Sequence, residues 1–277
     1  MAITSFIPTI WSENLYTALN KKYVAVANCN RDFEGEIRNR GSVVKICGVG
    51  DIFVGDYTKN TDMNNPQNLS DTVMELVIDQ AKYFNFQIDD IDKTQASPKL
   101  MDAAMRIAAD SLARTADRYI YGICNDLVAK RLEAEVTPEN ILDTIIAAQQ
   151  RLYEAGVSDM SDVVLEVSPS VASLIMKAKL NLATDNSALL ENGCIGSIGG
   201  TKIFVSPNID YISHEGIEAS KCVMRTKRAV AFAEQLSEID AYRPEKRFAD
   251  AVKGLHLYGA SVIYPDEVVP LSLTTTV

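Results

Sequence analysis

The longest periodic stretch of the chain runs from residue 98 to residue 135, and it limits the fold more than any other segment. Its apolar side chains recur at steps of three and four residues, the spacing of one helix face. Ser97 and Pro98 suit a cap and a first helical turn. At 1.5 Å per residue such a helix would be roughly 50 Å long. The stretch therefore predicts a spine along an elongated molecule, with Tyr119 and Ile120 on its apolar face.

Short β-type runs precede this helix. Residues 31–92 look extended, with strand patterns at 43–47, 52–54, 72–78 and 84–88. These runs carry too little apolar surface for a core of their own, because a two-stranded ribbon is marginal in water. We therefore expect this excursion to need a partner surface.

The second half of the chain alternates helical and strand patterns. Helices are predicted from Pro138 to Gly156 and from Pro169 to Lys179, with residues 181–200 as a loop. Strands are predicted at 163–167, 202–205, 222–226, 229–233, 239–242 and 252–264. The expected fold class is α+β.

Charge and cysteine usage exclude several function classes. The 277-residue chain has a net charge of −10, and an acidic protein is repelled by phosphate at long range. A direct nucleic-acid reader is therefore not expected, although a local basic patch is compatible with this charge. The five cysteines show no zinc or disulfide spacing, which indicates reduced, mostly buried thiols. The N-terminus does not resemble a signal peptide, and no apolar run has membrane-spanning length.

The glycine cluster Gly193, Gly196, Gly199 and Gly200 is the clearest candidate for a ligand loop. A dinucleotide loop needs a helix after it, but residues 201–205 look like a strand, and no Gly-Lys-Ser/Thr is present. We expect a hairpin turn with positive φ instead. His256 lies in an alternating strand and is expected to be a packed or interface residue. A basic cluster at Arg225, Lys227 and Arg228 is expected on the solvated surface. We expect no catalytic residue, no cofactor and no metal.

Residues 8–22 form a candidate amphipathic helix that includes Trp11 and Leu15. Most such apolar stripes face the core of their own chain, and we prefer that interpretation. The alternative is an arm that binds a neighbouring subunit.

The ordered set of segments resembles the major capsid proteins of tailed bacteriophages. The tract AVAFAEQLSEIDAYRPEKRFADAVKGLHLYGASVIYPDEVV, from Ala229, resembles their C-terminal part. The segments FIPTIWSENLYTAL, VIDQAKYFNFQIDDIDKTQA, MRIAADSLARTADRYIYGIC, VVLEVSPS and GSIGGTKIFVSPN follow the same order upstream. The resemblance implies the Hong Kong 97-type capsid fold. Its parts would be an N-terminal arm (1–30), an extended β-hairpin loop (31–92), a peripheral domain with the spine helix (93–135), an axial domain (136–240) and a return to the peripheral sheet (241–277).

This resemblance also implies a function. Copies of the chain would assemble through pentamers and hexamers into an icosahedral shell around double-stranded phage DNA, without sequence-specific binding and without a membrane. The partners would be other copies, a separate scaffolding protein and a portal. The protein would be made in the host bacterial cytoplasm and located in the virion. Candidate assembly residues are Trp11, Leu15, Lys45, Phe53, Tyr57, Lys59, Met63, Gly193, Gly196 and Gly199.

Two other interpretations remain open at this point. An encapsulin-like cellular compartment would use the same fold to enclose a cargo enzyme. A nucleotide-dependent enzyme would have to be built on the glycine cluster, and we expect no nucleotide binding there.

Overall fold

The computed structural model describes residues 15–33, 41–49, 56, 59, 71–89, 100–178, 194–214, 217–246 and 248–275. Helix α1 covers residues 15–20, and the spine helix α2 spans Leu100–Asn125. The predicted strand at 52–54 lies outside the described residues. So do the candidate residues Trp11, Phe53, Tyr57, Met63 and Gly193.

The spine helix is confirmed, but its predicted extension to residue 135 is wrong. After Asn125 the chain turns, and Leu132–Val136 forms strand β4. This strand pairs in parallel with β12, Val268–Thr275. Strand β12 was not among the predicted strands. Leu132 fits the helical spacing, but its segment Leu-Glu-Ala-Glu-Val also alternates apolar and acidic residues. Pairing with β12 therefore decides between the two periods.

A three-stranded antiparallel sheet packs against the spine helix. Its order is β10-β11-β3, formed by Val230–Tyr242, Ala249–Val262 and Gln80–Asp89. The runs predicted at 229–233 and 239–242 belong to one strand, β10, with an irregularity between Leu236 and Glu238. Residues from the helix and the sheet share one core, which includes Ala109, Leu112, Ala116, Ile120, Phe232, Val252 and Tyr258. Every third or fourth residue of the helix thus meets every second residue of the strands.

A seven-stranded sheet forms the second half of the molecule. In addition to β4 and β12 it contains β5 (Val163–Val167), β6 (Cys194–Ile198), β7 (Thr201–Val205), β8 (Tyr211–His214) and β9 (Ile217–Thr226). Its main order is β4-β12-β9-β5-β7-β6, and β8 pairs with β9. Helices α3 (Ile141–Glu154) and α4 (Pro169–Lys177) contribute to its core. Strand β6 replaces part of the loop that was predicted for residues 181–200.

Local signals fix the ends of the two shorter helices. The Ser168 side chain accepts a hydrogen bond from the Val171 amide, and Pro169 occupies the first turn of α4. Helix α3 ends at Glu154, and Gly156 follows with φ of 91°. The Val157 amide then donates to the Leu152 carbonyl, as in a glycine-terminated helix.

The extended hairpin begins with strands β1, Val43–Val49, and β2, Asp71–Val77, which pair antiparallel. Its base packs on the outer face of the three-stranded sheet, opposite the spine helix. This contact forms a third apolar cluster that includes Val44, Ile46, Leu76, Ile78, Ala231, Ala233, Leu257 and Ile263. The hairpin base is therefore held by its own subunit.

The membership of the two sheets differs from the predicted domain ranges. Strand β12 was expected in the peripheral sheet, but it joins the seven-stranded sheet between β4 and β9. Conversely, most of β10 was expected in the axial part, but it pairs with β11. The reason is tertiary, because strand pairing follows partners that are distant in the sequence. Pro270 is tolerated in β12 because β4 begins to pair only at Leu271.

Candidate assembly surfaces and a buried polar cluster

A strap of the N-terminal region, residues 23–31, lies over a buried polar cluster. Asp117 of the spine helix is completely buried and faces this strap. Its carboxylate accepts hydrogen bonds from the amides of Val24, Ala25 and Val26 at 3.2, 3.0 and 3.2 Å. The Asn208 side chain donates a fourth, at 3.2 Å. One side chain thus satisfies three strap amides that no regular secondary structure would pair.

Arg225 and Glu166 form a fully buried ion pair beneath the same strap. Arg225 Nη2 lies 3.2 Å from Glu166 Oε1, and Arg225 Nε donates to Glu166 Oε2 at 3.3 Å. The guanidinium also donates to the carbonyls of Asn28 and Ala25, at 2.8 and 2.9 Å. This two-sided geometry suits the planar fork of arginine. The expectation that Arg225 belongs to a solvated basic cluster is therefore wrong.

Glu234 anchors the end of the strap from the three-stranded sheet. It accepts hydrogen bonds from Arg31 Nη2 at 2.7 Å and from the Tyr23 hydroxyl. His256 Nε2 lies 2.8 Å from Glu234 Oε2, the same oxygen that accepts from the Tyr23 hydroxyl. His256 is fully buried and was correctly predicted to be a packed residue. Its bonding partner is a structural carboxylate, and no nucleophile lies beside it among the contacts that the structure describes.

Burial dominates the acid–base properties of this cluster. It raises the pKa of Asp117 to about 7, although the strap amides of Val26 and Val24 oppose the shift. Burial also raises the pKa of the thiols of Cys29 to about 11 and of Cys124 to about 12. Such thiols are protonated at neutral pH and are poor nucleophiles. The cluster fastens the strap to the core and has no solvent-exposed reactive group.

The candidate assembly residues that the structure describes do not form one site. Leu15 is buried in the core beneath the spine helix, which supports the preferred interpretation of the N-terminal helix. Lys45 is exposed on β1 and lies opposite Glu75 on β2. Lys59 is exposed farther along the hairpin region. These two lysines are on the hairpin, whereas Leu15 belongs to the interior.

Two glycines of the cluster, Gly199 and Gly200, form the predicted turn. Gly199 and Gly200 connect β6 to β7 with φ of 57° and 91°, which suits a tight two-residue hairpin. Gln149 of α3 holds this turn, because its Nε2 donates to the Ile198 carbonyl and to Thr201 Oγ1, each at 2.9 Å. A side chain at Gly199 would come within 3.1 Å of Gln149. Gly196 lies in β6 at a register irregularity, and its backbone is also at positive φ.

Two large apolar side chains of the single chain, Tyr83 and Phe248, are mostly exposed to solvent. Tyr83 is 79% exposed on β3, the edge strand of the three-stranded sheet, opposite Leu255 of β11. Phe248 is 85% exposed between β10 and β11. Large apolar residues at this level of exposure are typical of contact surfaces when they cluster. They were not among the candidates, since β alternation predicts a face but does not show which part of it remains uncovered.

In the described part of the chain, no group of three or more His, Cys, Asp or Glu could hold a metal ion. None of the helices in that part is long and apolar enough to cross a bilayer.

Comparison with known proteins points to capsids. No protein-family model matches the chain, and no curated protein sequence matches it. A solved structure from Mycobacterium phage Che8 is 27% identical, with 90% of each chain covered and a TM-score of 0.68. The capsid of Ralstonia phage GP4 is 13% identical, with 94% of this chain and 91% of that chain covered and a TM-score of 0.70. A virus-like particle from Pyrococcus furiosus is 12% identical, with coverages of 94% and 96% and a TM-score of 0.55.

These likenesses confirm the predicted fold class. The chain is a mixed helix and sheet protein with the capsid fold of tailed bacteriophages, the Hong Kong 97-type.

Proposed function

We propose that this chain is the major capsid protein of a tailed bacteriophage. Copies would assemble through pentamers and hexamers into an icosahedral shell that encloses double-stranded DNA in the virion. The observation that carries the proposal is the likeness to the Ralstonia phage GP4 capsid, which extends over 94% of this chain. The proposal assigns the chain no catalysis.

Different parts of the subunit account for its own folding and for contact with neighbours, which supports this role. The compact part has its own cores, so a subunit can fold before it assembles. The hairpin and the exposed apolar side chains of Tyr83 and Phe248 supply surfaces for neighbours. Rings need heterologous contacts, in which two different surfaces of the same chain meet. The scaffolding protein, the portal and synthesis in the host cytoplasm belong to the proposal as further expectations.

Expression of the full chain alone tests the proposal directly. Negative-stain microscopy and sedimentation should find closed shells, rings or tubes built from this single protein. A chain that remains monomeric at every concentration and salt condition, and also with the other head proteins of its phage, would contradict the proposed function.

The second candidate is an encapsulin-like compartment, which the likeness to the Pyrococcus furiosus particle favours. Purified shells distinguish the two candidates by their contents. Packaged double-stranded DNA, or neighbouring terminase and portal genes, would favour the phage capsid. A co-purifying enzyme encoded next to the chain would favour the compartment.

A further inference from the structure

The exposed side of the spine helix carries a row of arginines. Arg106, Arg114 and Arg118 are all exposed, and together with Asp110 they occupy positions four residues apart along one helix row. At 1.5 Å per residue, the row from Arg106 to Arg118 is about 18 Å long. It faces away from the core that Ala109, Leu112 and Ala116 share with the sheet.

The N-terminal region places Lys22 against this row. Lys22 Nζ lies 3.4 Å from Asp110 Oδ1, and the adjacent Lys21 is also exposed. Asp110 is shared, because Arg114 Nη2 contacts its other oxygen at 2.5 Å. Arg106, Arg114, Arg118, Lys22 and the adjacent Lys21 are hereafter called the basic stripe, and Asp110 pairs with two of them, in a chain whose net charge is −10.

Screening makes the local charge more important than the net charge. The Debye length is about 8 Å at physiological ionic strength, so acids elsewhere on the subunit are largely screened from the stripe. A phosphate in contact with the helix would mainly sense the arginines and lysines beside it. Arginine also matches phosphate with paired N–H donors, which a row of lysines alone would not provide.

We propose that the basic stripe contacts the phosphate backbone of double-stranded nucleic acid inside the shell, without reading its sequence. The inference rests on the proposed container function. It would place the face that carries the basic stripe toward the enclosed nucleic acid. The contacts would be weak and numerous, since each subunit supplies few charges while the shell repeats them many times. The enclosed nucleic acid would be held near the wall by an acidic protein that otherwise repels it.

Ile107 provides a way to separate this partner from a protein partner. It is 68% exposed beside Arg106 on the same side of the helix. A second protein surface would bury this side chain and gain free energy from it. A phosphate backbone gains little from an isoleucine, so nucleic-acid binding should not depend on it.

The test measures binding of the full chain, in its unassembled form, to a short fluorescent duplex of mixed sequence. One variant combines Arg106→Gln, Arg114→Gln and Arg118→Gln. A matched control removes three exposed charges elsewhere, through Arg151→Gln, Lys177→Gln and Lys246→Gln. Asp110→Asn has the opposite expected sign, because it removes the acid that pairs with Lys22 and Arg114. Circular dichroism verifies that each variant is folded.

We expect the wild type to bind more weakly as salt rises, with similar affinity for different sequences. The triple stripe variant should bind at least about tenfold more weakly at low salt, and its salt slope should fall by about 2–3, since each phosphate contact contributes roughly 0.9. Asp110→Asn should bind more tightly. The matched control and Ile107→Ser should bind like the wild type.

Four results would overturn the inference. They are no measurable duplex binding at low salt, an equal loss of binding in the matched control, tighter binding to polyglutamate than to the duplex, and loss of shells on Ile107→Ser. The last two would identify a protein partner or a contact between copies. Shell formation by the wild type is scored separately. Protein that forms shells but shows none of the expected duplex binding rejects only this inference, whereas failure to form shells rejects the proposed function.

Discussion

The N-terminal strap and the base of the extended hairpin both pack against elements that are distant in the sequence, but polar interactions hold the strap and apolar contacts hold the hairpin base. The strap is fixed by buried charges and directional hydrogen bonds from Asp117, Arg225 and Glu234. The base of the hairpin is held by an apolar cluster on the outer face of the three-stranded sheet. Hydrogen bonds fix a single position, while apolar contacts are non-directional.

This difference suggests distinct roles in assembly. A strap with three satisfied amides and a buried ion pair belongs to the folded subunit. A hairpin that rests on apolar contacts can change its angle without leaving a polar group unpaired, which is useful when one chain must fit both five-fold and six-fold rings. Substitutions at the strap and at the hairpin base should therefore differ in their effect on subunit stability and on assembly.

Arg225→Leu should destabilise the unassembled subunit by about 3–5 kcal/mol, because Glu166 would remain as an unpaired buried charge. The carbonyls of Ala25 and Asn28 would also lose their donors. Urea denaturation measures the effect. The double variant Glu166→Leu with Arg225→Leu should recover part of the loss, since it removes both charges. A single variant within about 0.5 kcal/mol of the wild type would show that the ion pair does not fix the strap.

Gly259→Ala should shift the hairpin base and cost about 1–3 kcal/mol, the range for overpacking. A side chain there would lie 2.2 Å from the Val77 carbonyl oxygen, and backbone cannot move aside cheaply. Gly122→Ala is the matched control, because nothing lies within 4 Å of that position and alanine favours a helix. Denaturation curves should therefore move in opposite directions for the two variants. If both stabilise the subunit, the close approach of the hairpin is incorrect.

Subunit stability should fall as pH rises through neutrality, owing to Asp117. Its pKa is raised from 3.8 to about 7 in the folded state, so the folded protein holds a proton that the unfolded chain has already released. Between pH 6 and 8 the free energy of unfolding should therefore fall by about 1–2 kcal/mol. Asp117→Asn should remove that part of the slope. Denaturation at both pH values measures it, and an unchanged slope in the variant would contradict the assignment to Asp117.

Replacing residues 56–70 with a short Gly-Ser turn should leave subunit stability nearly unchanged, since the described cores lie elsewhere. The same variant should fail to form closed shells, because contacts between subunits would be lost. Circular dichroism measures the first effect and sedimentation the second. An unfolded variant would place the segment in the core. Normal shells would show that the segment is not needed for assembly.

The sequence by itself determined most of the secondary-structure elements. Periodicity predicted the spine helix, the strands at 163–167 and 252–264, and the glycine turn at Gly199, because local conformation and the buried face depend on neighbours in sequence. It also predicted a packed role for His256. The ordered set of segments was enough to suggest the capsid fold, which the comparisons confirm.

The tertiary structure alone decided which distant partners meet. Arg225 lies in sequence beside the basic residues Lys227 and Arg228, yet it is buried because Glu166 and two strap carbonyls complete its shell of acceptors. Strand β4 takes its conformation from β12, more than a hundred residues away. Whether a charge can be buried, or an ambiguous segment becomes a strand, depends on free energy from partners that no local pattern contains.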